Sequence, residues 1–208
     1  MIQLSGDIVV ASGNAGKIAE LQKLFAEYPV RLRLQAEFAV QPAEETGVTF
    51  VENALLKARA ASAQTGLPAI ADDSGLAVDA LGGAPGVRSA RFALDCGSYD
   101  GAGDKDAANR KQLLTALSGV SMEDRAAHFH CALVFLRSAT DPTPIIAEGR
   151  WAGEILDEER GSGGFGYDPL FLVPELQCTA AELDGLTKNT ISHRGKAVKK
   201  LISALPTV

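Results

Sequence analysis

Residues 7–12 (Asp-Ile-Val-Val-Ala-Ser) read as a short apolar strand that runs straight into Gly13-Asn14-Ala15-Gly16-Lys17, after which Ile18, Leu21, Leu24 and Phe25 recur at helical spacing. A strand, a glycine-containing turn and a helix in that order commit this part of the chain to an α/β arrangement. Such a turn points backbone N–H groups at the start of a helix towards an anion, and Lys17 adds a mobile positive charge in the first turn, so phosphate is the natural guest. It is not a Walker A loop, which needs wider glycine spacing and a hydroxyl where Ile18 stands. A plain connecting turn with a solvated lysine accounts for the same residues equally well.

The chemistry is expected at Ile70-Ala71-Asp72-Asp73-Ser74-Gly75-Leu76, where an apolar run meets two adjacent acids and a Ser-Gly pair. That pattern predicts a strand end presenting both carboxylates on a tight loop. Neighbouring carboxylates repel, and a hard cation such as Mg²⁺ is the usual answer. Asp-Asp-Ser-Gly is also ordinary turn chemistry.

Upstream, Thr49 with Glu52 forms a capping box, and the helix it opens is expected to run to Gly66, with Pro68 beyond. Within it Asn53 and Lys57 fall one turn apart, which places an amide beside an ammonium; a surface lysine is the plainer alternative. Arg31 to Gln35 alternates like a strand. Gly82 to Gly86 is a sharp turn, the segment from Asp95 to Asp106 a polar surface loop, and Asp106 to Leu117 a helix. Arg125 to Arg137 and Pro144 to Leu156 suggest a hairpin. His128 and His130 share a face as sheet residues, and Trp151 is expected in the core.

The run Gly161 to Pro169 is the densest in glycine and lets backbone approach a flat ligand, with Phe165 and Tyr167 beside it. Filling of the core by those aromatics is the alternative. Lys188 precedes Ser192-His193-Arg194-Gly195-Lys196, where Ser192 can cap a closing helix with His193 and Arg194 in its first turn.

The chain has 208 residues, enough for one sizeable domain or one domain with two lobes. A net charge of −6 argues against non-specific coating of nucleic acid or anionic membrane. Cys96, Cys131 and Cys178 are widely spaced and odd in number, and read as reduced and structural. No leader pattern and no membrane-length apolar run is visible, so a cytoplasmic enzyme is expected.

Five stretches in series, SGNAGK, EETGVTFVENALLKA, ADDSGLAVDALGGAPGVRSAR, GGFGYDPLF and SHRGKA, closely resemble the inosine triphosphate pyrophosphatase family, which hydrolyses deaminated purine nucleoside triphosphates. The resemblance implies a homodimeric α/β protein, residues 1–208 forming a single domain with an elongated mixed sheet, flanking helices and two lobes around a central nucleotide cleft. It implies that Ser12, Gly13, Asn14, Ala15, Gly16 and Lys17 hold the phosphates, with Asn53 and Lys57 also reaching them. Glu44 or Glu45 with Asp73 would place Mg²⁺. Asp73 would accept the proton of the attacking water, with Asp72 beside it. Ser74 would touch substrate, Phe165, Gly166, Tyr167 and Asp168 would line the base pocket, and Lys188, His193 and Arg194 would grip the base and its neighbourhood.

Donors from His193 or Arg194 would favour the 6-carbonyl of inosine over the amine of adenosine. Two departures bear on the entrance or a dimer contact: Arg88 stands where the family usually has an aromatic residue, and a glycine-rich insertion widens the following loop. The competing readings are a Maf-like pyrophosphatase, an aspartyl phosphatase of the haloacid dehalogenase type, which wants Asp-x-Asp, and a nucleotide sensor without catalysis.

Overall fold

The computed structural model describes residues 6–204. Seven strands, β1 (Gly6–Val10), β2 (Val30–Leu34), β3 (Ala69–Val78), β4 (Ala126–Leu136), β5 (Ile145–Ile155), β6 (Phe171–Val173) and β7 (Cys178–Thr179), form one sheet in the order β2-β1-β3-β4-β5-β6-β7. It is mixed: β1 runs parallel to β2 and β3, whereas β6 is antiparallel to β5 and β7. The helices are α1 (Ala15–Leu24), α2 (Phe50–Thr65), α3 (Phe92–Asp95), α4 (Lys105–Ala116), α5 (Gly185–Ile191) and α6 (His193–Ser203). Two compact units divide these elements, one of described residues 6–73, 131–149 and 193–204, the other of residues 74–130 and 150–192.

In the first unit, strand pleating sorts the core into two layers, because successive side chains point to opposite faces. Ile8, Val10, Ile70, Leu133 and Phe135 pack with Leu21 and Phe25 of α1 and with Val198 and Leu201 of α6. Val9, Ala11, Ala69, Ala71, Val134 and Leu136 pack on the other face against Ala54, Ala58 and Ala61 of α2. Both helices begin with side-chain caps: the Asn14 carboxamide accepts from Lys17 N at 3.0 Å, and Thr49 with Glu52 closes the expected capping box. Gly66 ends α2 in the left-handed conformation. Since β1 lies between β2 and β3 while α1 and α2 cover opposite faces, the strand order reverses at β1, and the crevice at its carboxyl end is where open parallel sheets bind ligands.

The second unit has its own core of Leu76, Val78, Leu113, Leu117, Leu170 and Val173, with Phe129, Trp151 and Phe171 in contact at centroid distances of 4.6 and 5.1 Å. Trp151 is thus a core residue, and His128 and His130 share the opposite face of β4 from buried Ala127 and Phe129. α4 starts one residue before the expected position, capped by Asp104. Sequence patterning did not anticipate α5, β6 or β7.

One expectation is overturned. The acids do not sit on a loop at a strand end: β3 continues from Ala69 to Val78, so Asp72 and Asp73 lie within the strand. Gly75 serves close approach rather than a turn, since a Cβ there would lie 2.4 Å from both Gly86 O and Ser89 Oγ. Replacing Gly75 by Ala is therefore expected to lower stability in urea by roughly 1–3 kcal/mol, the usual cost of overpacking, while Val48→Ser at an 82% exposed position stays within about 0.5 kcal/mol.

Candidate active site

The alternation that sorts the core also separates the two acids. Ile70 belongs to the layer of α1 and α6 and Ala71 to that of α2, so Asp72 continues the first face and Asp73 the second. Asp72 is 1% exposed, and its Oδ2 accepts from Lys17 Nζ of α1 at 3.2 Å and twice from the Arg194 guanidinium of α6 at 3.4 Å. Arg194, itself 2% exposed, is held from its other side by Glu20 of α1. Across the sheet, Asp73 meets α2: Lys57 Nζ lies 3.1 Å from Oδ1, and Asn53 Nδ2 donates to Oδ2 at 3.3 Å. Lys57 also bonds Glu45 Oε1 at 2.9 Å, which ties the segment before α2 to the same group.

The adjacent carboxyls titrate in opposite directions. Burial opposes ionisation of Asp72, but the charges of Lys17, Arg194 and Lys57 outweigh it and hold the carboxyl well below the usual carboxylate range. At Asp73 burial prevails over Lys57 and Lys17, and Glu45 adds repulsion, so its pKa is raised. Burial works against the charge on Lys57 too, yet Asp73, Asp72 and Glu45 together raise its pKa and keep it an ammonium. Beside Asp72, burial pushes the Cys131 thiol up to about 12, which leaves it an inert core residue.

A cavity of about 150 Å³ opens at the carboxyl end of β1, lined by Ser12, Gly13, Gln35, Glu45 and Lys57 among others. Gly13 has no left-handed backbone to excuse it, and a Cβ there would meet only Gln35 Nε2 at 3.9 Å. The fold leaves that space open beside the phosphate-type turn.

In the second unit Asp168 Oδ2 accepts from Lys188 Nζ at 2.7 Å and from Phe165 N at 2.9 Å, and Lys188 Nζ stands 5.3 Å from the Phe165 ring centroid. A ring, a cation and a carboxylate are thereby gathered in one seat. Tyr167 is buried and donates its hydroxyl to Ser89 O at 2.9 Å, so it supports this loop and offers no open aromatic face.

The structure thus brings Lys17, Asp72 and Arg194 together on one sheet face, and Asn53, Lys57, Glu45 and Asp73 on the other. Phe165, Asp168 and Lys188 form a separate group. Arg194 is engaged by Asp72 and Glu20, and His193 is buried at the start of α6. Glu44 is exposed, and of the two glutamates Glu45 is the one that reaches Lys57. Glu20 was missed, although its position three residues after Lys17 puts it on the same face of α1.

Buried acids matched with lysines at the carboxyl edge of a parallel β-α-β layer, next to a glycine turn and a cavity, define a protein built to handle phosphorylated ligands. Residues 8–204 match the Ham1 family, and the chain belongs to that family. It is 52% identical to a dITP/XTP pyrophosphatase of Photorhabdus laumondii, with 95% of this chain and 97% of that protein covered, and 55% identical over the same shares to one of Pectobacterium atrosepticum. Among solved structures, a HAM1 protein from Coxiella burnetii superposes with a TM-score of 0.84 at 50% identity, covering 95% of this chain and 96% of that one.

The opposed shifts predict opposite pH dependence for the two carboxylates and unequal effects of their isosteric substitutions. Asp72 has a lowered native pKa, so its contribution to stability is present above its unfolded value of about 4 and is lost as pH falls through the native value. Asp73 has a raised pKa, so its contribution is present below that unfolded value and is lost as pH rises through the native one. At pH 7 without added metal, Asp72→Asn should destabilise by roughly 3–5 kcal/mol by breaking a buried ion pair, whereas Asp73→Asn should destabilise less, because burial already opposes the charge it removes while Lys57 loses a partner.

Proposed function

We propose that this chain hydrolyses noncanonical purine nucleoside triphosphates of the inosine and xanthosine type to the monophosphate and pyrophosphate, removing them from the nucleotide precursor pool. The single observation that carries this is Asp73, buried and 3.1 Å from Lys57, which with Glu45 lines the cavity beside Ser12 and Gly13. The dITP/XTP pyrophosphatases that are more than 50% identical over 95% of the chain support it.

Water attacking phosphorus must lose a proton, and the departing pyrophosphate must have its charge absorbed. Asp73 suits the first task as a buried carboxylate with both oxygens held in fixed positions, able to take that proton. Lys57 fixes its orientation, and Asn53 holds the second oxygen. Residues 12–17 supply the backbone N–H groups at the start of α1 for phosphate oxygens, and Lys17 supplies charge there. Asp72 holds Lys17 at that edge; it is a positioning acid, itself fastened by Arg194.

A hard divalent ion fits these residues. Among the described residues no three His, Cys, Asp or Glu side chains form a self-sufficient metal cage. Glu45 and Asp73 nevertheless converge on one ammonium, and burial leaves the Asp73 charge only partly compensated. Mg²⁺ characteristically binds through one or two carboxylates together with substrate phosphates. When bound, it supplies positive charge to the phosphoryl oxygens.

For the base, the seat of Phe165, Asp168 and Lys188 offers a stacking face with an acceptor and a donor side by side. A 6-oxopurine presents the matching N1–H donor next to its O6 acceptor, whereas adenine presents the reverse. Lys188 and Asp168 are the proposed base contacts on this side. No helix among the described residues is long and apolar enough to cross a membrane. A cytoplasmic homodimer is the proposed setting.

A panel of inosine, xanthosine, adenosine, guanosine, uridine and thymidine triphosphates, assayed separately for phosphate and pyrophosphate, tests this reading. Pyrophosphate release with inosine and xanthosine preferred is expected; preference for the pyrimidines or release of phosphate alone defeats it. Asp73→Asn should abolish Mg²⁺-dependent turnover while nucleotide binding persists, and Lys57→Met should slow turnover on the order of a hundredfold.

A further inference from the structure

We infer that Asp106 and Arg110 of α4 are positioning residues for base recognition, acting through the backbone of Gly166. They lie one helical turn apart and take hold of the same residue from both sides. Asp106 Oδ2 accepts from Gly166 N at 2.8 Å, and Arg110 Nη1 donates to Gly166 O at 3.0 Å. Gly166 is the point of the loop that most needs holding, since it sits in the left-handed region at φ +63°, directly between Phe165 and Tyr167. Two charged groups on one backbone residue make charge-assisted bonds, which are shorter and stronger than neutral ones.

The clamp is itself immobilised. The Arg110 guanidinium also lies within ion-pair distance of Glu159, with Nε 2.9 Å from Oε1, which adds a charge attraction on its far side. Asp106 stands in the first turn of α4, where the Asp104 cap bonds the Asp106 and Ala107 amides. Leu113 anchors the helix in the core of the second unit, and Asn109 Oδ1 accepts from Ala93 N at 2.8 Å. A continuous rigid path therefore runs from that core through α4 to Gly166.

What the path governs lies on either side of Gly166. Phe165 N donates to Asp168 Oδ2, the oxygen that also holds Lys188, so a shift of the 165–168 backbone moves ring, carboxylate and ammonium together. Sub-ångström placement of such groups decides how well a flat heterocycle is read. The inference rests on the proposal that Phe165, Asp168 and Lys188 read the base, and the variants below separate the two.

Steady-state hydrolysis of inosine and adenosine triphosphates is compared for the full chain and for the variants Asp106→Ala, Asp106→Asn, Arg110→Met and Phe165→Ala, with thermal midpoints recorded for each. Asp106→Ala and Arg110→Met are expected to raise KM for inosine triphosphate about tenfold, the scale of one lost charge-assisted hydrogen bond, and to narrow the preference over adenosine, with a smaller change in kcat. Asp106→Asn keeps an oxygen facing Gly166 N–H and should recover most of the lost KM. Arg110→Met keeps the apolar stem and carries the test if Asp106→Ala fails to fold. If Phe165→Ala erodes base preference while the α4 variants leave KM and preference intact, the inference is overturned and the base seat stands. If Phe165→Ala changes neither, the base seat fails and the inference with it. A fall in kcat that merely tracks a lowered midpoint, with KM unmoved, makes the clamp structural only and also overturns it.

Discussion

Everything in the first unit depends on the pleat of β3 between Ile70 and Asp73. Because successive side chains of a strand face opposite ways, two adjacent acids that would repel on a loop become the centres of two charge clusters on opposite faces of the sheet. Asp72 is gripped by α1 and α6, Asp73 by α2. Their environments then diverge. One is stabilised as an anion by two cations within 3.4 Å, while the other is kept partly against its inclination to be neutral. Functional sites commonly hold such under-compensated groups at a cost to stability, with the surrounding structure enforcing the arrangement.

Much of this was legible in residue order. The period change from strand to helix around Gly13 gave β1 and α1, and Thr49 with Glu52 gave the start of α2 and so the phase that brings Asn53 and Lys57 to one acid. The acid pair misled because Asp-Asp-Ser-Gly satisfies the local rules for a turn, and the evidence against a turn is remote: the backbone of Gly86 and the Ser89 hydroxyl packed on Gly75. Remote pairing also explains Arg194, whose acid Glu20 lies 174 residues away in sequence. Spacing alone could not choose between Glu44 and Glu45, because neighbours in an irregular segment have no fixed periodicity. The short elements α5, β6 and β7 carry too few residues for a period to show.

The two units use different physics. The first relies on parallel strands, helix N-termini and matched charges, the usual equipment for oxyanions. The second relies on an aromatic core and a glycine loop whose shape comes from hydrogen bonds at Phe165, Gly166 and Tyr167. Membership of the Ham1 family fixes the fold that joins them, whereas the chemistry belongs to particular side chains.

Gly13 carries a practical consequence. Nothing in the folded chain crowds it and its backbone is one that any residue adopts, so a methyl group at that position would leave expression, solubility and melting behaviour largely untouched. Surveys of variants scored by cellular abundance would therefore pass over a position that lines the cavity beside the proposed phosphate turn, and only a selection that demands turnover would find it.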